Sequence, residues 1–176
     1  MNPLQRFLSV PTWLRMRLAG STVANLYTRL NVLVYRASKG RMWGHLYVPD
    51  SHTLMPILLL ETRGRVTGRR RVTPLIYVKK DGGFLLAAAN AGHSRHPGWF
   101  LNLSAEPRVR FSLGAGWSAA HGVSLSSPAR EASFELFAAS YPPLVRYQRA
   151  TSRAIPMVLL EPLQELSALP NADRRH

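Results

Sequence analysis

Apolar positions follow two patterns along this chain. Val23, Leu26, Tyr27, Leu30 and Val34 recur at helical spacing, with Asn25, Thr28, Arg29 and Asn31 on the other faces. Upstream, Leu4, Phe7, Leu8, Trp13, Leu14, Met16 and Leu18 are interleaved with Arg6, Arg15 and Arg17. Residues 1–44 therefore read as a helical N-terminal arm, ending in the breaker cluster at 38–41. From residue 54 the pattern changes to short apolar runs separated by turn residues, as in antiparallel strands. The predicted strands are 54–60, 71–78, 84–89, 108–113 and 117–125, with a last one at 155–160. Pro56 puts the start of the first at an edge or a bulge. The segment 79–83, with its Asp-Gly pair, supplies a hairpin turn. A short helix is expected at 99–105. Another follows the fifth strand, with Pro128 in its first turn and Ser126 or Ser127 as cap. Its apolar stripe is Phe134, Phe137 and Ala138, and a break at Tyr141, Pro142 and Pro143 separates it from a further helix through Tyr147. The pattern predicts a small barrel or curled sheet of α+β, mainly β class.

With 176 residues, 46% hydrophobic and 18% charged, the chain is long enough for one globular domain with a real core. The expected division is an arm at 1–44, a barrel domain at 45–164 and a polar tail at 165–176. The absence of cysteine excludes disulfides, thiolate metal sites and a cysteine nucleophile, and is compatible with a reducing cytoplasm. Neither a secretory leader nor a run of about 18 apolar residues is evident. Lys and Arg number 23 against 9 Asp and Glu, a net charge of +14. That excess favours an anionic partner: nucleic acid, acidic lipid or an anionic cofactor.

The charge peaks at residues 61–71, which hold five arginines, two glycines and one carboxylate between two strand-like runs. Arginine forks grip phosphate or carboxylate oxygens in pairs, and glycines let backbone approach a ligand closely. A solvated hairpin tip is the plain alternative to an anion site. The stretch is not a Walker A loop, which needs Gly-Lys-Ser/Thr entering a helix. His93 and His96 have no nearby carboxylate to complete a metal site, and no metal is expected. Ser94 lacks a nucleophile-elbow context. Tyr141 and Tyr147, near Arg146, Arg149 and Arg153, read either as core packing with snorkelling arginines or as a pocket wall offering hydroxyls.

Several stretches together resemble the deazaflavin (coenzyme F420)-dependent nitroreductase and quinone reductase family of split-barrel type. They are residues 33–41, 62–71 and 74–75, then 96–103, 141–143 with 147–149, 151–156 and 160–162, in an order that holds from about residue 30 to 162. The resemblance implies a split β-barrel of about six largely antiparallel strands that holds reduced coenzyme F420. Arg63, Gly64, Arg65, Thr67, Gly68, Arg69 and Arg71 would bind its phosphate and acidic tail, and Pro74 also belongs to the cofactor site. Ala88, Ala89, Asn90, Ala91, Gly92 and Trp99 would lie near its ring system. Tyr141 and Tyr147 match positions lining the acceptor pocket and are the catalytic candidates. The implied reaction is hydride transfer to a quinone, a nitroaromatic compound or a similar small acceptor. FMN in the same fold, and a basic nucleic-acid-binding barrel, are the competing readings; nucleic acid is disfavoured because no aromatics interleave with the arginines. The chain departs from the family's usual residues at Val66 (lysine), Leu144 (tyrosine), Ala89 (serine) and Phe100 (tyrosine), which favours a quinone. A cytoplasmic location is expected; the arm reads first as a helix packed on its own domain, with a peripheral position on the inner face of the cell membrane as the alternative, and monomer and homodimer are both open.

Overall fold

The computed structural model describes residues 32, 33, 35, 37, 38 and 44–163. Most of the N-terminal arm and the polar tail thus lie outside the described residues. Val32, Leu33, Tyr35 and Ala37 are helical. The strands are β1 (His45–Val48), β2 (Thr53–Arg63), β3 (Arg70–Ile76), β4 (Val78–Lys80), β5 (Gly83–Ala87), β6 (Arg108–Ser112), β7 (Ser118–Ser124) and β8 (Met157–Pro162). Helix α1 (Gly98–Ala105) separates β5 from β6, while α2 (Ala129–Ser140) and α3 (Pro143–Arg149) separate β7 from β8.

All pairings are antiparallel, in the order β1-β2-β6-β7-β8-β5-β4, with β3 added to β2. Only Tyr77 separates β3 from β4. The path therefore closes into a barrel: β3 pairs with β2, the chain bends at Tyr77, and β4 pairs with β5. Residues 71–78 read as one strand in sequence because apolar and polar residues continue through this bend. Lys79 and Lys80, expected in the turn, belong to β4, and the turn itself is Asp81-Gly82 with both φ angles positive. Strand β1 was not expected, since its four residues give too short a pattern.

Pro56 stands where β2 exchanges partners, from β1 at His45 to β3 at Ile76 opposite Ile57. Its carbonyl accepts from the Tyr77 amide at 3.2 Å, so the bend in β3–β4 is pinned to this point. Residues 57–60 are apolar on both faces because both are covered. Leu58 and Leu60, with Phe84, Leu86, Val109, Phe111, Val158 and Leu160, fill the barrel. On the outside Met55, Leu85, Ala89 and Met157 pack under α2 and α3 through Phe137, Tyr141, Leu144 and Tyr147. Along β5 the two sets alternate residue by residue, as strand geometry requires.

Helix α2 has Pro128 at its N-cap position, with no side-chain cap hydrogen bond. Ser127 Oγ instead donates to Glu131 Oε1 at 2.7 Å, and the Ser126 carbonyl accepts from the Arg130 amide. That side-chain hydrogen bond, foremost, lowers the Glu131 carboxyl below its ordinary value.

Gly83 shows how tightly β5 meets β8. A Cβ there would lie 2.4 Å from the Leu160 carbonyl oxygen, which only backbone movement could relieve. Gly83→Ala is expected to destabilise the protein by about 1–3 kcal/mol, seen as a lower urea midpoint with an unchanged denaturant slope.

Candidate functional site

Two features share the β2–β3 hairpin. One is its tip. The Gly64 amide donates to the Arg69 carbonyl at 2.8 Å and the Gly68 amide to the Gly64 carbonyl at 2.7 Å, which folds residues 64–68 into a single tight turn. Gly68 has φ +65°, a region that disfavours side chains, and a Cβ on Gly64 would press on Thr67 Oγ1 at 3.0 Å and the Arg69 carbonyl at 3.2 Å. Arg63 Nε donates to the Gly68 carbonyl, and the Arg69 amide to Thr67 Oγ1.

A buried side chain from another element fixes this turn. Asn102 on α1 accepts from the Arg65 amide through Oδ1 and donates through Nδ2 to Thr62 Oγ1, both at 3.2 Å. Thr62 is 2% exposed and Asn102 7%. A loop that merely carried charge into solvent would need no such brace.

The five arginines are not equivalent. Glu61 Oε1 lies 3.4 Å from both Arg70 Nη1 and Arg110 Nη1, so the single carboxylate of the hairpin neutralises Arg70. The guanidinium groups of Arg65, Arg69 and Arg71 make no ion pair or hydrogen bond among the described residues. The Val66 and Thr67 amides likewise donate to no group in that set. Three guanidinium groups and two amides without partners among the described residues thus belong to one turn and the strand that leaves it. Val66 itself is 84% exposed at the tip.

The second feature is a cavity of about 350 Å³ under α2 and α3. Its wall includes Tyr35, Ile57, Pro74, Ala89, Ala91, Phe137, Tyr141, Leu144 and Tyr147. Pro74 and Arg71 are three residues apart on β3, which places the backbone of the nearest loop arginine about 10 Å from the cavity wall. Polar atoms in the wall are few. Tyr35 Oη donates to the Ile57 carbonyl at 3.1 Å. Burial, foremost, and then the neighbouring Tyr77 hold the Tyr35 phenol above its ordinary value, keeping it protonated. Tyr141 and Tyr147 share a hydrogen bond at 3.3 Å between their hydroxyls.

Of the residues that sequence assigned to the site, the structure brings Pro74, Ala89, Ala91, Tyr141 and Tyr147 together at the cavity. It puts Gly64, Arg65, Thr67 and Gly68 in the turn, with Arg63 at the end of β2, Arg69 just before β3 and Arg71 near the start of that returning strand. Ala88 and Trp99 point into the barrel core instead. Asn90 and Gly92 belong to the connecting loop. Asn90, Ala91 and Gly92 have φ of 49°, 50° and 81°. Left-handed backbone at Ala91 costs about 1–2 kcal/mol. Gly92 lies against α3, where a Cβ would sit 2.9 Å from Ala150 Cβ and 3.0 Å from the Tyr147 carbonyl.

Arg153 and Asn102 were missed as site residues, because their partners are 57 to 65 and 37 to 40 residues away. Both fall within stretches that resemble the family, without an assigned role. Arg153 Nη1 donates to His96 Nδ1 at 3.3 Å, which assigns the neutral tautomer with hydrogen on Nε2. Burial, then the Arg153 charge, lowers His96 below its ordinary value.

The antiparallel barrel is the fold of split-barrel reductases. The chain belongs to the F420H(2)-dependent quinone reductase family, whose model matches residues 27–162. Its members are oxidoreductases that use reduced coenzyme F420. A Mycobacterium tuberculosis protein named as an F420H(2)-dependent quinone reductase is 38% identical over 86 residues, 49% of this chain and 54% of the relative. The chain therefore spans about half the length of that relative. A second M. tuberculosis protein, a putative member, is 30% identical over 108 residues, covering 61% of this chain and 91% of the other. Among solved structures, an F420-H2 dependent reductase is 33% identical, with a TM-score of 0.55 over 60% of this chain and 94% of that one. Another, described as a domain-swapped dimer, is 27% identical with a TM-score of 0.56, covering 76% and 100%.

Two outcomes follow from these contacts. Asn102→Leu is expected to cost about 1–3 kcal/mol by leaving Thr62 Oγ1 and the Arg65 amide without their partner, and adding Thr62→Val recovers part of the loss in urea titrations. For His96 the native state resists protonation, whereas the unfolded chain takes up a proton as pH falls through about 6.5. Stability is thus full above that value and declines below it. His96→Asn, which keeps an acceptor but does not titrate, removes this component from the difference between urea midpoints at about pH 7.5 and about pH 5.

Proposed function

We propose that this protein transfers hydride from reduced coenzyme F420 to a quinone. The observation that carries the reading is the pairing of three uncommitted arginines on a braced turn with an apolar cavity at the other end of the same hairpin. The cofactor has the matching form, a flat ring system joined to a phosphate, lactyl and glutamate arm. Arg65, Arg69 and Arg71, with the Val66 and Thr67 amides, would hold the anionic arm. Pro74, Ala89 and Ala91 would face the ring system. When bound, the reduced deazaflavin supplies a low-potential hydride from its central ring carbon.

The chain's own contribution is to orient, to exclude water and to hold a proton. Phe137, Leu144 and Ile57 make the cavity dry enough for an apolar acceptor. Converting a quinone to a quinol consumes a proton besides the hydride. The Tyr141–Tyr147 pair keeps hydroxyl hydrogens at the wall, whereas the Tyr35 hydroxyl is committed to a backbone carbonyl. Ala89 and Leu144 stand where family members commonly place hydroxyls, and both line the cavity. That substitution supports a quinone over a nitroaromatic acceptor.

Equilibrium titration with coenzyme F420, FMN and a single-stranded oligonucleotide tests the cofactor. F420 should bind most tightly, and Arg65→Ala and Arg71→Ala should each weaken it about ten- to a hundredfold. Preference for the oligonucleotide with a steep salt dependence would sink the proposal. Steady-state reduction of a short-chain naphthoquinone, compared with a nitroaromatic compound, tests the acceptor; Tyr141→Phe should lower kcat more than it changes KM.

A further inference from the structure

Arg153 lies outside the cavity wall yet holds the loop that forms one side of it. Its Nη2 donates to the Ala89 carbonyl at 2.7 Å and to the Ala88 carbonyl at 3.2 Å. Its Nε donates to the His93 carbonyl at 3.0 Å, and Nη1 to His96. One guanidinium thus reaches four points on residues 88–96. Its own backbone is held in turn, since Gln148 Nε2 donates to the Arg153 carbonyl at 2.8 Å. Gln148 Oε1 accepts from the Ile155 amide and from Arg130 Nη2.

The consequence lies on the opposite edge of the same peptides. A trans peptide is planar, with its C=O and N–H directed oppositely. The two peptide groups that Arg153 holds by oxygen carry the Ala89 and Asn90 amides, and neither amide has a hydrogen-bond partner among the described residues. Ala89 is part of the cavity wall. Ala89 is right-handed, φ −71° and ψ −37°, and Asn90 left-handed, a succession that turns neighbouring amides toward one point. A charged donor on the carbonyl side strengthens an amide as a donor on the other.

We infer that Arg153 is a positioning residue: by holding the Ala88 and Ala89 carbonyls it aims and polarises the Ala89 and Asn90 amides as donors to a ring oxygen of the molecule in the cavity. This rests on the deazaflavin reading. A lysine cannot take the place of Arg153, since an ammonium cannot span carbonyls, imidazole and the His93 oxygen together.

The test compares binding of two ligands to the full chain: complete coenzyme F420, and the deazaflavin chromophore without its phosphate arm. Arg153→Gln and Arg153→Lys should each weaken both ligands by the same factor, about tenfold, while Arg65→Ala weakens only the complete cofactor. Hydrogen exchange on the protein alone should show faster exchange of the Gly92 and His93 amides in both Arg153 variants, with residues 57–60 and 158–160 unchanged. Undiminished chromophore binding by a folded Arg153→Gln, or full recovery in Arg153→Lys, overturns the inference. If Arg153→Gln does not fold, Arg153→Lys, which keeps stem and charge, carries the same expectation. Failure of the wild type to bind either ligand overturns the functional reading, and this inference with it.

Discussion

The antiparallel register of β2 on β3 is the constraint on which the rest of the molecule depends. It runs without interruption from Ile57 opposite Ile76 to Arg63 opposite Arg70. One end of that ladder lies beneath α2 and α3 and must be apolar on both faces. The other end projects beyond the barrel and can be charged. A slip by one residue would exchange the faces, turning Leu58 and Leu60 away from the barrel and carrying Thr62 away from Asn102. The cavity and the basic turn are therefore spaced by hydrogen-bond geometry, and their separation does not depend on side-chain choice at either place.

Charge acts within that frame. A positive loop repels itself, and the fold manages this by committing some guanidinium groups and sparing others. Glu61 takes Arg70 and Arg110, and Arg63 is turned back onto Gly68. What remains is directed, because Arg65, Arg69 and Arg71 follow a turn that Asn102 anchors to α1. Arg153 represents the same arrangement at a half-buried position. Its charge is met by carbonyl oxygens and a neutral imidazole, none of them a counter-ion, so order in the loop is obtained from dipoles.

Much of this was legible in the chain. Short apolar runs between turn residues marked six of the barrel strands, and the density of arginine between two such runs marked the turn. The family resemblance supplied the cofactor and directed attention to Tyr141 and Tyr147. Other features were hidden for physical reasons. Alanines 87 to 89 look alike in sequence, yet Ala88 faces the barrel while Ala89 faces the cavity, and only the register decides. Trp99 is aromatic and close to the loop, but α1 turns it into the core. Glu61 cannot be assigned to Arg70 over the other arginines without knowing which side chains share a face of the sheet. Asn102 and Arg153 act across long sequence separations, and no local pattern marks such a contact.

Pro74 has a consequence beyond the cavity it lines. The Gly64 amide bonds to the Arg69 carbonyl and the Tyr77 amide to the Pro56 carbonyl. Alternation along the ladder then makes Leu59 opposite Pro74 a pair without mutual hydrogen bonds. The nitrogen of Pro74 consequently faces away from β2, toward the side of β3 that has no partner strand among the described residues. An open strand edge invites another chain to add to it, and a missing donor there, followed toward the tip by Arg71 and Arg70, discourages that addition. A residue that shapes a binding wall on one side thus also guards the protein against edge-to-edge aggregation on the other.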